Sequence, residues 1–282
     1  MRRRRLEEGF FLSLMRLSLG AVAVCFVALV GSVAWRGFAA LDLDMLIRLP
    51  QGGYYLGGEG GIANAIVGSL LLGLGGSAVA LAAGVPVAFA LQREFLSRRV
   101  AALTRLCLDI LWGTPSIVLG AFAFVCMPLL GLRTSLLAGI LVLAVLMLPI
   151  MVRAMEEVIR LVPAELKETA YALGATRLEV ARAVVWRQAL PGLVSGLLLA
   201  FGRGVGDAAS ILFATGYTDH LPRSLMDPVA SLPLAVFFLI GTPVPAVQER
   251  AFAAAAVLLM LILLASVASR GLTRRLSRHI IR

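Results

Sequence analysis

Arg203 and Asp207 lie four residues apart inside the apolar run Leu190–Ala214. On a helix that spacing puts both on one face, where they can pair. A charge at mid-membrane depth costs about 2.5–3.5 kcal/mol even on lenient scales, so it belongs against protein or a water-filled path. Two chemistries fit. One is a structural ion pair; the other is a guanidinium that meets an oxyanion while the carboxylate holds it in place, a task suited to arginine's planar fork. Asn64, at the start of another apolar run, either caps a helix or faces the same interior.

Reactive chemistry is not expected. The one lysine, Lys167, follows Leu166, so the chain has no GxxxxGK[ST] phosphate loop. It has no HExxH motif and no GxSxG elbow, and His220 and His279 fall on opposite sides of the membrane. Cys25, Cys107 and Cys126 sit in apolar runs without a CxxC pair and read as small buried hydrophobes. No cofactor is expected on this chain; if ATP is used, another chain hydrolyses it.

The elements that position these residues follow from composition. Of 282 residues, 60% are hydrophobic and 15% charged, against roughly 45–50% and 25% in soluble domains. An ordinary soluble protein is excluded. A span needs about 20 mostly apolar residues, and six runs qualify: Leu17–Ala34, Ala63–Leu91, Leu106–Leu130, Thr134–Val152, Leu190–Ala214 and Ala251–Ser269. The first is too long for the apolar core of a signal peptide and lacks a small-residue cleavage site, so it reads as a retained span. The shorter run Val229–Ile240, between Pro228 and Pro243, reads as an external re-entrant or surface helix.

Of the 26 basic residues, 20 fall in one set of compartments, five in the other and Arg203 within a span. Lys and Arg accumulate on the cytoplasmic side, so both termini are expected in the cytoplasm, with membrane lipid rather than nucleic acid as the partner of the net charge of +10. The organisation is a basic N-terminus (1–16), a transmembrane domain (17–270) and a basic C-terminus (271–282). The loops around Gly52–Gly61 and Gly216–Arg250 read as mobile external rims.

Gly113 and Pro115 should kink the third span, and Asp109 near its cytoplasmic end reads as structural. In the fifth, Gly192, Gly196, Ala200 and Gly204 form a small-residue stripe that admits a close helix. Beside it run Ser195, Leu199, Arg203 and Asp207, which suggests a path wall at a subunit interface. The cytoplasmic stretch 153–189 contains a short amphipathic helix, Ala164 to Leu173. Pro163 opens it, Glu165 and Glu168 sit in its first turns, and Gly174 ends it. Its apolar positions, Leu166, Thr169, Ala170 and Leu173, suit either a lipid surface or a docking partner.

Glu168-Thr169-Ala170, Gly174 and Leu190-Pro191 resemble the EAA loop of ABC importer permeases. The stretches Gly60–Ser69, Gly113-Thr114-Pro115-Ser116-Ile117-Val118 and Arg203-Gly204-Val205-Gly206-Asp207 narrow this to a similarity with the A-type permease subunits of phosphate-specific ABC importers. The chain departs from that pattern in carrying Trp186-Arg187 where a further Leu-Pro is usual, and Asp207 where Glu is usual. The resemblance implies an all-α membrane protein of six helices with a type I importer permease fold, moving inorganic phosphate inward. It implies a path touching Asn64, Ser116, Arg203 and Asp207, and a coupling loop at Glu168, Thr169, Ala170, Gly174, Leu190 and Pro191. The implied partners are a C-type permease subunit forming a heterodimer, a dimer of ATP-binding subunits using ATP and Mg, and an external phosphate-binding protein. A permease for phosphonate, sulfate or molybdate is the alternative within the class, and a proton-coupled carrier built on Asp207 the alternative outside it.

Overall fold

The computed structural model describes residues 2–276, so His279 and the end of the basic tail lie outside the described residues. Every element among them is helical: α1 (Arg2–Ala39), α2 (Leu43–Ile47), α3 (Ala63–Ala90), α4 (Arg98–Gly113), α5 (Ser116–Cys126), α6 (Leu136–Arg160), α7 (Ala164–Ala172), α8 (Arg177–Glu179), α9 (Trp186–Val205), α10 (Leu232–Ile240) and α11 (Pro245–Leu276), with short 3₁₀ turns between some of them and a π-turn, Val180–Val185, joining α8 to α9. Serine hydroxyls set several starts, accepting from the backbone N–H three residues on: Ser97 for α4, Ser135 for α6 and Ser231 for α10.

Five helical stretches are long and apolar enough to cross a membrane, and α4 with α5 counts as a sixth if the bent pair is one span. The number matches the sequence reading; several shapes do not. The third span is broken, not merely kinked, since α4 and α5 meet at 101°. Pro115 has no N–H to continue the ladder, and it drives Thr114 into an extended conformation (φ −72°, ψ 128°). The fifth helix already begins at Arg177, where Thr176 and Glu179 form a reciprocal capping box. It ends at Val205, well before Ala214.

The centre of the bundle is α6, packed between α3 and α9 with Met147, Met151 and Met155 fully buried. The fit is tight enough that Gly204 of α9 faces the Met147 side chain where a Cβ would collide. α3 and α6 run parallel, Gly75 lying on Ile140 and Gly84 on Val152, while α9 runs against them, Gly192 on Val158 and Gly204 on Met147. The late residues of α1 meet the early residues of α11, Gly37 lying against Phe252 and Ala256, so the two helices are antiparallel and their outer ends share one end of the bundle. Most side chains of α1 are exposed, Phe26 and Leu29 among them, leaving an apolar helix in need of lipid or another helix.

Two expectations about the opposite end are corrected. α10 is not a surface helix, because Leu232, Leu234, Ala235 and Leu239 are fully buried between α3 and α11. Its entry is fixed by Ser69, whose hydroxyl accepts from the Leu232 N–H at 2.7 Å. The rims are bonded rather than loose. Tyr54 is buried beneath Arg250, which donates to its carbonyl at 2.8 Å, and burial pushes the phenol up to about 12. Asp227 accepts from the N–H groups of Arg223 and Ser224 at 2.8 and 2.9 Å, which holds its carboxyl below the usual range.

Candidate functional site

Asp207 lies just beyond the end of α9, yet the predicted pair forms, Arg203 Nη1 donating to Asp207 Oδ1 at 3.1 Å. The second carboxylate oxygen accepts the Ser210 N–H at 2.8 Å. That bond turns the chain and explains why the helix stops here despite the apolar residues that follow. Asp207 is fixed by both oxygens, with its side chain 5% exposed, whereas that of Arg203 is 50% exposed. A guanidinium carries five N–H donors, so an edge of Arg203 stays available to a ligand while Asp207 fixes its direction.

Arg203 opens on a cleft of about 520 Å³ between α9 and α11, lined also by Ser195, Leu199, Ser266, Ser269 and Arg270. The predicted stripe Ser195, Leu199 and Arg203 therefore shares one surface, while Asp207 stands behind it. Arg270 and the two serines of α11 escaped the sequence reading because nothing in their spacing distinguishes them from the outer face of a last span. The small-residue stripe is spent within the chain. Gly192, Gly196 and Gly204 receive Val158, Ala154 with Met155, and Met147, all from α6, so the stripe is not a subunit interface.

Ser116 is the first residue of α5 and is partly exposed. One turn on, Gly120 lies against the carbonyls of Ala209 and Ser210, where any side chain would clash, so the start of α5 stands beside the turn that holds Asp207. The first N–H groups of a helix carry positive partial charge; at α5 those of Val118 and Leu119 donate to the Pro115 carbonyl, and no residue of α5 lines the cleft that Arg203 faces. The buried Ser210 hydroxyl, not singled out from sequence, has no hydrogen-bond partner among the described residues.

Asn64 stands elsewhere. It does not cap α3, whose N-cap position is Ile62 with no side-chain bond; it is buried and donates from Nδ2 to the Thr218 carbonyl at 2.7 Å. Gly73 is the α3 residue level with Phe201 and Val205. Asn64 precedes it by nine residues, about 13–14 Å along the axis.

The segment expected to serve coupling is helical as read, with α7 followed by Gly174 at φ +85°, a conformation natural to glycine and strained for other residues. Glu168 and Thr169 are exposed, and Leu173 is 84% exposed. Part of the apolar face already has a use, because Ala170, Tyr171 and Ala175 pack on the central core. On the inner side Lys167 pairs with Glu94 at 3.5 Å, and Arg177 donates to the Glu94 carbonyl at 2.8 Å. Leu190 and Pro191 do not belong to this surface; they sit within α9, with Pro191 buried. Trp186 stacks on Phe89 of α3, the ring centroids 5.9 Å apart.

A family model described as "binding-protein-dependent transport system inner membrane component" matches residues 80–281. Among curated proteins, the phosphate transport system permease protein PstA of Xylella fastidiosa (strain Temecula1) is 32% identical over 85% of this chain and 83% of its own length. The protein of the same name from Mycobacterium leprae is 34% identical over 92% and 86%. Among solved structures, an inward-facing form of the MetNI methionine ABC transporter superposes with a TM-score of 0.63 at 21% identity, covering 76% of this chain and 95% of that one. That likeness establishes the type I importer permease fold.

Proposed function

Because the chain belongs to the family of binding-protein-dependent transport system inner membrane components, we propose that it is the permease subunit through which an ATP-driven importer passes inorganic phosphate to the cytoplasm. The names borne by the curated relatives point to that solute, and Arg203 carries the reading on this chain. It is a half-exposed guanidinium in the last turn of α9, backed by a buried carboxylate and facing a cleft. Ser116 and the first turn of α5 lie outside that cleft and would meet the solute at a separate point of the path, in the manner of broken helices whose positive ends face anionic solutes in membranes. Contact is weak by design, since a path that held its solute tightly could not release it. The outward apolar helix α1 and the exposed faces of α4 and α5 leave room for a second permease subunit, and the 20-to-five asymmetry of basic residues favours placing both termini in the cytoplasm. ATP and Mg would be bound by separate ATP-binding subunits, and solute would arrive on an external binding protein. In vesicles holding the whole complex, phosphate uptake should require ATP and stop with vanadate while surviving a protonophore. Uptake that follows the proton gradient instead would sink the proposal.

The exposed tip of α7 is the docking element of this reading. Cysteine at Leu173 or Ala172, both exposed, should cross-link to the ATP-binding subunit, whereas cysteine at half-buried Ala170 or Ala175 should react poorly. Gly174→Val adds about 1–3 kcal/mol of backbone strain at positive φ and should leave hydrolysis running with uptake reduced. Cross-linking of Leu173 to lipid probes alone would assign α7 to the membrane surface.

A further inference from the structure

A second cavity, of about 1010 Å³, opens at the bundle end that carries the termini, between the end of α3, the start of α4 and the last turn of α6. Its charged lining is Arg93, Arg98, Arg105, Arg160 and Lys167 against one acid, Glu94. Three of these cations are engaged: Arg105 and Arg160 bond to Glu156 behind the wall, and Lys167 pairs with Glu94. Arg93 and Arg98 are exposed and have no ion pair among the described residues. We propose that this cavity holds the phosphodiester headgroup of an anionic phospholipid from the surrounding leaflet.

Four observations converge on that occupant. The lining keeps a large positive excess, and guanidinium groups suit phosphate oxygens. The site lies at the ends of α3 and α6, beyond their apolar runs, a position where basic pockets between helices take anionic lipids. Its volume would hold about thirty waters, far more than one orthophosphate fills and suitable for a glycerol-phosphate headgroup. Finally, α4 is two-faced. Ala101 and Leu108 are buried on one side, while Leu103, Leu106 and Ile110 are 55–62% exposed on the other, an apolar stripe that seats a helix among acyl chains with its charged end among headgroups. The inference rests on the membrane-permease reading, but binding measured in detergent does not depend on which side the cavity faces.

The test uses the assembled importer in detergent. Native mass spectrometry would follow retention of phosphatidylglycerol and phosphatidylcholine, with and without added inorganic phosphate. Phosphatidylglycerol should be retained preferentially and resist displacement by phosphate. The double variant Arg93→Gln with Arg98→Gln should weaken that retention about 25-fold, at about fivefold for each cation removed. Both arginines lie outside the proposed solute path, so ATP-driven uptake by the double variant reports separately on the permease reading. Equal retention of both lipids, unchanged retention in the double variant, or displacement by inorganic phosphate would each overturn the lipid assignment. So would loss of lipid only when the ATP-binding subunits are present, which would mark the cavity as a protein contact.

Discussion

Replacing Arg203 with glutamine is expected to lower phosphate uptake about a hundredfold while leaving the complex assembled. Hydrogen bonds to charged groups contribute about 1.5–3 kcal/mol each, so losing two at the low end gives a factor of that order. Glutamine can still donate to the buried Asp207 carboxylate but does not neutralise it, so assembly and thermal unfolding are measured beside uptake. Arg203→Lys keeps the charge but loses the fork and should retain intermediate uptake. Asp207 needs different handling, since it also accepts the Ser210 N–H. Asn at this position keeps an acceptor for that bond and should reduce uptake modestly. Ala strands a buried donor, at about 1–3 kcal/mol, and should lower stability as well. A full charge swap at 203 and 207 is a poor test, because arginine at 207 cannot accept from Ser210. Near-normal uptake by Arg203→Gln in an intact complex would reduce the pair to a structural contact.

The largest loss of stability is expected at Glu156. Its carboxylate is 3% exposed and gathers Arg105 at 2.7 Å, Arg160 at 2.6 Å and Arg153 at 3.4 Å, while Arg153 also pairs with Asp109. A buried ion pair adds little net stability against a well-packed apolar substitute, but removing one partner leaves charges uncompensated, at about 3–5 kcal/mol. Here Arg105 and Arg160 would lose their carboxylate and stand beside Arg153, which keeps only Asp109. Glu156→Ala should therefore lower the thermal unfolding temperature sharply or prevent accumulation of the protein, while Glu156→Gln, which keeps an acceptor, should lose less. Asp109→Asn should have a small effect, because that side chain is half-exposed. Unchanged thermal unfolding of Glu156→Ala would falsify this account of the hub.

The spans were legible because lipid exposure demands unbroken apolar runs, and α7 because a proline, acids in the first turns and a following glycine mark a helix at both ends. Pro115 announced an interruption but not a 101° turn, since the angle depends on what α5 packs against. The end of α9 was hidden: Ala208 to Ala214 looks like more helix, and only the bond from Ser210 to Asp207 ends it. The burial of α10 was equally hidden, resting on Ser69 far back in the chain. Of the predicted path residues, Arg203 and Asp207 pair, Ser116 begins the helix whose Gly120 rests on the carbonyls of Ala209 and Ser210, and Asn64 serves another loop. The Glu156 hub escaped notice because its partners lie 51 residues apart or on successive turns of one helix, where basic residues read as topology signals rather than ligands.

The π-turn Val180–Val185 acts as a one-residue insertion accommodated without unravelling the helix. One residue of α-helix is about 100° of rotation, so the turn sets the phase between α8, which follows α7, and the face of α9 that carries Arg203. Deleting one residue there would let a continuous α-helix form with those two faces still nearly in register, whereas winding all six residues as α-helix would turn them about 100° apart. The segment thus behaves as a phase adjuster between the end that carries α7 and the cleft at Arg203.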